Sequence, residues 1–290
     1  MNEFSIDKKQ VRLAFSRAAT GYDSAAVLQR EVCKRMLERL EYIKLQPGRI
    51  LDAGSGTGWG SRQLSTKYPA AQLLALDIAV GMLQAAGGHS GWWQKIFSSA
   101  KQLHVCGDVE DMPLAGNSVE MVWSNLALQW CNDLPATFVE LNRVLKVDGL
   151  LMFSTFGPDT LKELRSAFNG VDQHNHLNRF ADMHDLGDML TQSGFAEPVM
   201  DMEYLTLTYD DVRGILYDLK AIGAHNVTAG RRQGLMGKRV WAQLLENYER
   251  FRRDGKLPAT YEVVYGHAWK PQPRVNRDGA AIIKTSFKLK

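Results

Sequence analysis

The stretch Arg49-Ile-Leu-Asp-Ala-Gly-Ser-Gly-Thr-Gly58 joins an apolar run to glycines at positions 54, 56 and 58. Such a loop lays bare backbone against a small anionic or zwitterionic ligand, because no Cβ stands in the way. The dinucleotide fingerprint G-x-G-x-x-G finds no frame here, since Trp59, Ser61 and Gln63 fall where its last glycine would stand, and NAD is disfavoured. An acid before the first glycine, Asp52, followed by G-x-G-x-G, suits the methionyl part of S-adenosylmethionine along Gly54, Ser55, Gly56 and Gly58. An ordinary strand-to-helix turn is the competing role for a lone glycine loop.

Further strand ends carry matching chemistry. Gln72-Leu-Leu-Ala-Leu-Asp77 ends in a carboxylate 23 residues after Gly54, where a doubly wound sheet puts its ribose-binding acid. Asp77 is expected to accept from both ribose hydroxyls, with Ile78 and Met82 as apolar faces. Gln102–Asp108 ends in an acid suited to the adenine amino group, followed by Val109. A fourth run, Val119–Asn125, brings Ser124 to the same edge, and a fifth spans Gly149–Thr155. One such acid could be a helix cap; three strands in order are hard to assign to capping alone.

The elements that must position these groups alternate. Strands are expected at 49–54, 72–77, 102–107, 119–124 and 149–155, with helices at 58–67, 79–86 and 134–146 between them. That rhythm predicts an α/β, Rossmann-like, seven-stranded, mostly parallel sheet with helices on both faces. Helical spacing at 8–18 and 24–45 precedes it. Beyond residue 156, helices are expected at 159–168, 183–192, 210–222 and 239–253, with strands at 198–207 and 261–268. The domain reading is an N-terminal helical segment 1–46, a main domain 47–270 with a helical lid at about 208–256, and a tail 271–290. The Gly87–Ser99 connection, with Trp92 and Trp93, is assigned to packing.

With 290 residues, 45% of them hydrophobic, the chain can bury a full core. No stretch approaches the roughly 18 apolar residues of a membrane span. The N-terminus lacks the pattern of a secretory signal, so the cytoplasm is expected. Cys33, Cys106 and Cys131 have no C-x-x-C spacing, and neither a disulfide framework nor a metal site is indicated. The net charge of +3 is concentrated in residues 271–290, where Arg274, Arg277, Lys284, Lys288 and Lys290 face only Asp278. That tail reads as a flexible end, with no aromatic interleaving of the kind that binds nucleic acid.

On these residues the chain resembles class I S-adenosylmethionine-dependent methyltransferases, and within them the malonyl-acyl-carrier-protein O-methyltransferases of biotin synthesis. The narrower resemblance rests on Phe15–Tyr22, Leu28-Gln-Arg30, Ser124–Trp130, Phe153–Gly157, His176–Phe180, Leu219–His225 and Tyr261–Ala268. It covers roughly residues 8–270, and the tail departs from it. It implies methyl transfer to the free carboxylate of a malonyl thioester, with acyl carrier protein as partner; the sequence itself gives no sign of a membrane or nucleic-acid partner. A carboxylate with a pKa near about 4 arrives ionised, so alignment and desolvation replace a general base.

An anionic acceptor needs donors. Arg179 is the first candidate to clamp the malonyl carboxylate, with an interhelical salt bridge as its competing role, and Lys220 is the second. Gln129 and Trp130 are expected to orient the acceptor and exclude water, or else to be a cap and a core residue. Tyr22 is expected to reach the cofactor or acceptor, or else to staple two helices. His174, His176 and His225 do not form a metal set. Arg231, Arg232, Lys238 and Arg239 form a basic cluster suited to an acidic carrier protein. A methyltransferase acting on another small carboxylate or a quinone-type carbon is the alternative. A cofactor-binding regulator without transfer activity and a nucleic-acid methyltransferase are the others; Ser124-Asn-Leu-Ala127 lacks the Asn-Pro-Pro-Tyr type of loop.

Overall fold

The computed structural model describes residues 5–88, 102–171, 177–223, 234 and 236–273. Seven strands form one sheet: β1 (Arg49–Ala53), β2 (Gln72–Asp77), β3 (Gln102–Cys106), β4 (Val119–Asn125), β5 (Leu145–Phe156), β6 (Ala196–Tyr209) and β7 (Leu257–Trp269). Their spatial order is β3-β2-β1-β4-β5-β7-β6. The first five pair in parallel, and β7 runs antiparallel to both β5 and β6. The seven-stranded, mostly parallel sheet expected from the sequence is therefore present.

The central strands read as unbroken apolar runs because both faces are covered. Successive residues point to opposite sides, so Ile50, Met121, Trp123 and Met152 enter one core while Leu51, Val122, Leu151 and Phe153 enter the other. Trp123 and Phe153 are fully buried. β6, at the sheet edge, instead alternates half-buried with exposed positions.

The helices that bear on the site are α1 (Lys8–Ala18), α2 (Tyr22–Ala25), α3 (Val27–Arg39), α4 (Trp59–Lys67), α5 (Val80–Gly88), α6 (Leu134–Val144), α7 (Lys162–Phe168), α8 (Met183–Gln192), α9 (Val212–Ala221) and α10 (Lys238–Glu249). Asp7 caps α1 by accepting from Lys9 N at 2.9 Å and Gln10 N at 3.2 Å; such a cap is worth about 1 kcal/mol. The single helix expected at 24–45 is broken at Ala26, whose ψ of 46° leaves the helical region. Ala26 is buried. Between β6 and β7, α9 turns Leu216, Leu219 and Ile222 inward, and Gly223 lies against Phe15 and Ala14 of α1. α10 flanks the sheet beside α7, with Asn247 Nδ2 donating to Ala167 O at 2.9 Å. Trp92, Trp93, His174, His176, His225, Arg231, Arg232 and the tail from 274 lie outside the described residues.

Candidate active site

The sheet order reverses between β1 and β4, and the glycine loop lies at the carboxyl end of that switch point. Gly54 N and Ser55 N both donate to Leu76 O, at 2.8 and 2.9 Å, which ties the loop to β2. Gly54 has φ +82°, and a Cβ there would stand 2.2 Å from the Ala127 Cβ. Gly56 has φ +54°, and a Cβ there would meet nothing within 4 Å. The first glycine is thus needed for packing, while the second presents backbone to open space.

Asp77 is held by that backbone. Its Oδ2 accepts from Gly56 N and its Oδ1 from Ala79 N, each at 2.8 Å. Each oxygen keeps a further lone pair for a ligand. Burial raises this carboxyl to about 6, against the opposing pull of the two amides. Burial likewise raises Asp52 to about 7; the Ser61 hydroxyl, which donates at 2.6 Å, opposes this, and the charge of Asp77 adds to it. The phenol of Tyr22 is raised by burial and then by Asp77 and Asp23, so it stands as a neutral donor.

These groups surround two adjoining cavities, the two ends of one candidate ligand site. Asp77, Ile78, Met82, Asp108 and Val109 line the first end, and Asp52, Ser55 and Thr57 the second. Tyr22, Gly54, Gly56 and Asn125 line both. A carboxylate with spare lone pairs, apolar walls, an exposed backbone turn and the unpartnered buried Ser55 Oγ fit a nucleoside joined to an amino acid. Two expected ligands stand elsewhere. Ser124 is fully buried and donates to Ala53 O at 2.8 Å, so its hydroxyl serves the sheet. Gly58 precedes α4 and faces Ala86 rather than either end of the cavity. Asp108 does line the cavity, but its Oδ1 already accepts from Lys8 Nζ at 3.0 Å.

A second chamber adjoins the first. Leu161, Leu164, Phe168, Leu216, Leu219 and Tyr261 are among the residues that form its wall. Trp130 lines both this chamber and the first end, standing edge-on to Phe15 with ring centroids 5.2 Å apart. Gln129 donates from Nε2 to Leu126 O at 2.6 Å and accepts at Oε1 from Thr155 Oγ1 at 3.4 Å. Both ride on a short 3₁₀ turn that Leu126 sets up by taking φ +48°, a left-handed conformation that costs of order 1–3 kcal/mol. Leu126 N is held by Ser154 O and Oγ, at 3.1 and 3.0 Å. Arg179 is exposed on a third, more polar groove that shares Gln129, Phe156, Asn178 and Phe180 with the chamber. Lys220 is exposed on α9 and lines neither chamber nor groove, which corrects its expected place at the acceptor. Among the described residues no cluster of His, Cys, Asp and Glu could hold a metal.

A family model described as a methyltransferase domain matches residues 51–153. The chain is 79% identical over 290 residues to malonyl-[acyl-carrier protein] O-methyltransferase of Gallionella capsiferriformans, covering 100% of both chains. It is 59% identical over 281 residues to the protein of the same name from Nitrosospira multiformis, covering 93% of this chain and 92% of that one.

The chain belongs to the malonyl-[acyl-carrier protein] O-methyltransferase family.

Its fold matches solved structures at much lower identity. The YcgJ protein of Bacillus subtilis aligns with TM-score 0.58 and 16% identity over 84% of this chain and 99% of that one. A putative methyltransferase of Bacillus halodurans gives TM-score 0.58 and 18% identity over 83% and 99%. The match to the Gallionella methyltransferase runs the full length of both chains and so includes residues 271–290.

Within this methyltransferase, several site residues had no chemical signature in the sequence. Lys8, Gln29, Asn125 and Asn178 all line cavities. Gln29 stood out only inside the Leu28-Gln-Arg30 motif, and Lys8 only as one cation among many.

Proposed function

We propose that this chain transfers a methyl group from S-adenosylmethionine to the free carboxylate of malonyl-[acyl-carrier protein], forming the methyl ester that begins biotin synthesis. One observation carries the acceptor chemistry. No described residue lining the chamber is an Asp, Glu, His, Lys or Cys. Its phenol, Tyr261, is pushed well above its ordinary range by burial and then by the neighbouring phenols Tyr209 and Tyr248. A hydroxyl, amine or carbon acceptor would have to lose a proton, and these residues offer no base. A carboxylate arrives ionised. The full-length relatives named for this reaction support the same acceptor.

When bound, S-adenosylmethionine supplies an electrophilic methyl group on a sulfonium. Asp77 holds the ribose hydroxyls, while Ile78, Met82 and Val109 flank the adenine. Asp52, Ser55 and the Gly54–Gly56 backbone hold the methionyl end, and Tyr22 donates across the cavity. Trp130 and Gln129 wall the reacting region from water, and the apolar chamber strips the carboxylate of its hydration. Arg179 clamps the carboxylate at the polar end that the chamber shares with the groove. Acceleration comes from holding two reactants in line.

The carrier protein is acidic, and its docking surface includes Lys238 and Arg239. Both are exposed in the first turn of α10, where the helix dipole disfavours cations, so their placement serves something other than helix stability. Arg231 and Arg232, the other two basic residues of this run in the sequence, lie outside the described residues. The cytoplasm suits this reaction, and the three cysteines are free thiols.

The test is transfer of labelled methyl groups to malonyl-acyl carrier protein, malonyl-coenzyme A and free malonate side by side, with mass spectrometry of the products. A methyl ester formed best on the carrier protein is expected. Cofactor binding with transfer to none of the three would sink the assignment.

A further inference from the structure

Two cavities meet at one amide. Among the described residues, Gln29 alone lines both the methionyl end of the donor cavity and the acceptor chamber. Its side-chain carbonyl oxygen is buried and has no hydrogen-bond partner among the described residues. The residue itself is firmly placed. Its peptide carbonyl accepts from Asn125 Nδ2 at 3.0 Å, and Asn125 Oδ1 accepts from Ser154 Oγ at 3.0 Å. The first turn of α3 is therefore fastened to the carboxyl ends of β4 and β5.

A buried acceptor without a partner is costly, and it marks a place where a ligand completes the site. An amide oxygen calls for positive charge or a donor. The part of the methyl donor that must face the acceptor chamber is the sulfonium with its methyl group, and that boundary is where Gln29 stands. We propose that Gln29 Oε1 faces the sulfonium of bound S-adenosylmethionine and so makes the site prefer the donor to its product. The inference rests on the methyltransferase reading above. In transfer, the methyl carbon breaks its bond to sulfur and forms one to the carboxylate oxygen, and the bonding pair stays on sulfur. The thioether left in S-adenosylhomocysteine is neutral, so the amide then has no charge to face, and the product loses a contact that the donor had.

Isothermal titration of the full chain with S-adenosylmethionine and with S-adenosylhomocysteine tests this. Gln29→Leu is expected to weaken donor binding by about tenfold and to leave product binding within about twofold, the size of one hydrogen bond to a charged group. Gln29→Glu is expected to raise the preference for the donor over the product. Equal weakening of both ligands by Gln29→Leu, or no change in either, would overturn the proposal. So would unchanged binding of both ligands with a raised KM for the malonyl carrier protein, which would give the amide to the acceptor. If a thermal melt shows that Gln29→Leu does not fold, the Gln29→Glu preference decides alone, and an unchanged preference overturns the proposal. A wild-type chain that bound neither ligand would overturn the methyltransferase reading, and this inference with it.

Discussion

Lys8, in the first turn of α1, donates to Asp108 Oδ1 at 3.0 Å and joins the N-terminal helix to the acid that follows β3. It also pairs with Glu110. Asn132 clasps the segment before the helix, accepting from Ile6 N at 2.8 Å and donating to Ile6 O at 3.1 Å. The N-terminal cover of the cavity end that Asp77 and Asp108 line is thus pinned at residues 6–8.

Removing the ionic part of that pin should loosen the cover without unfolding the protein. Lys8→Met is expected to cost about 1 kcal/mol or less, because the pair is partly solvated. Hydrogen exchange in α1 should accelerate while the sheet stays protected. Unchanged exchange there would show that Asn132 suffices.

Asp77→Ala should weaken S-adenosylmethionine binding by roughly 2–5 kcal/mol, through loss of charge-assisted bonds to the ribose. Titration calorimetry measures it directly. Retained affinity would mean that the ribose lies elsewhere.

The two glycines should fail in different ways. Gly54→Ala places a methyl group 2.2 Å from the Ala127 Cβ at φ +82°, and a loss of stability of about 2 kcal/mol or more is expected in denaturant titration. Gly56→Ala meets no atom within 4 Å, so it should fold with a smaller loss of stability and lose cofactor affinity. Equal behaviour of the two would contradict their assigned roles.

Binding should depend on pH in a definite direction. Asp52 and Asp77 stand at about 7 and about 6, above the ordinary carboxylate range. In the unliganded chain the stability they contribute is fully present at low pH and lost as pH rises through those values. Ribose hydroxyls at Asp77 and an ammonium near Asp52 favour the ionised forms, so binding releases protons. The gain in melting temperature from S-adenosylmethionine should therefore be larger at about pH 8 than at about pH 5.5, and the opposite trend would refute the assignment.

Arg179→Ala should leave cofactor affinity unchanged and lower transfer to malonyl-acyl carrier protein by roughly tenfold or more, the size of a charge-assisted contact. Steady-state kinetics paired with calorimetry separates the two. Lost cofactor binding with intact transfer would remove Arg179 from the acceptor's path.

The half of the candidate site along Gly54, Gly56 and Asp77 was legible because its chemistry is local. Gly54, Gly56 and Asp77 each announce themselves by type and by position at a strand end, and the strands themselves are apolar runs. The acceptor half was less legible because its wall is assembled from segments near residues 28, 130, 164, 216 and 261, and in sequence those leucines and aromatics look like any core. The break at Ala26 had no glycine or proline to announce it. Ser124 and Lys220 were misplaced because sequence gives the strand or helix but not which way a side chain settles. Leu126 hides its left-handed turn entirely, since a leucine carries no cue for positive φ.

The narrow frontier between the two cavities, bounded by Gln29 on one side and Trp130 on the other, bears on the order of events and on inhibition. With donor and acceptor held in adjoining cavities, as proposed, both must be bound together, and the kinetics should be sequential rather than ping-pong. A molecule that filled both cavities would need only a short tether carrying a positive charge toward Gln29 Oε1, with an adenosine on one side and a dicarboxylate half-ester on the other.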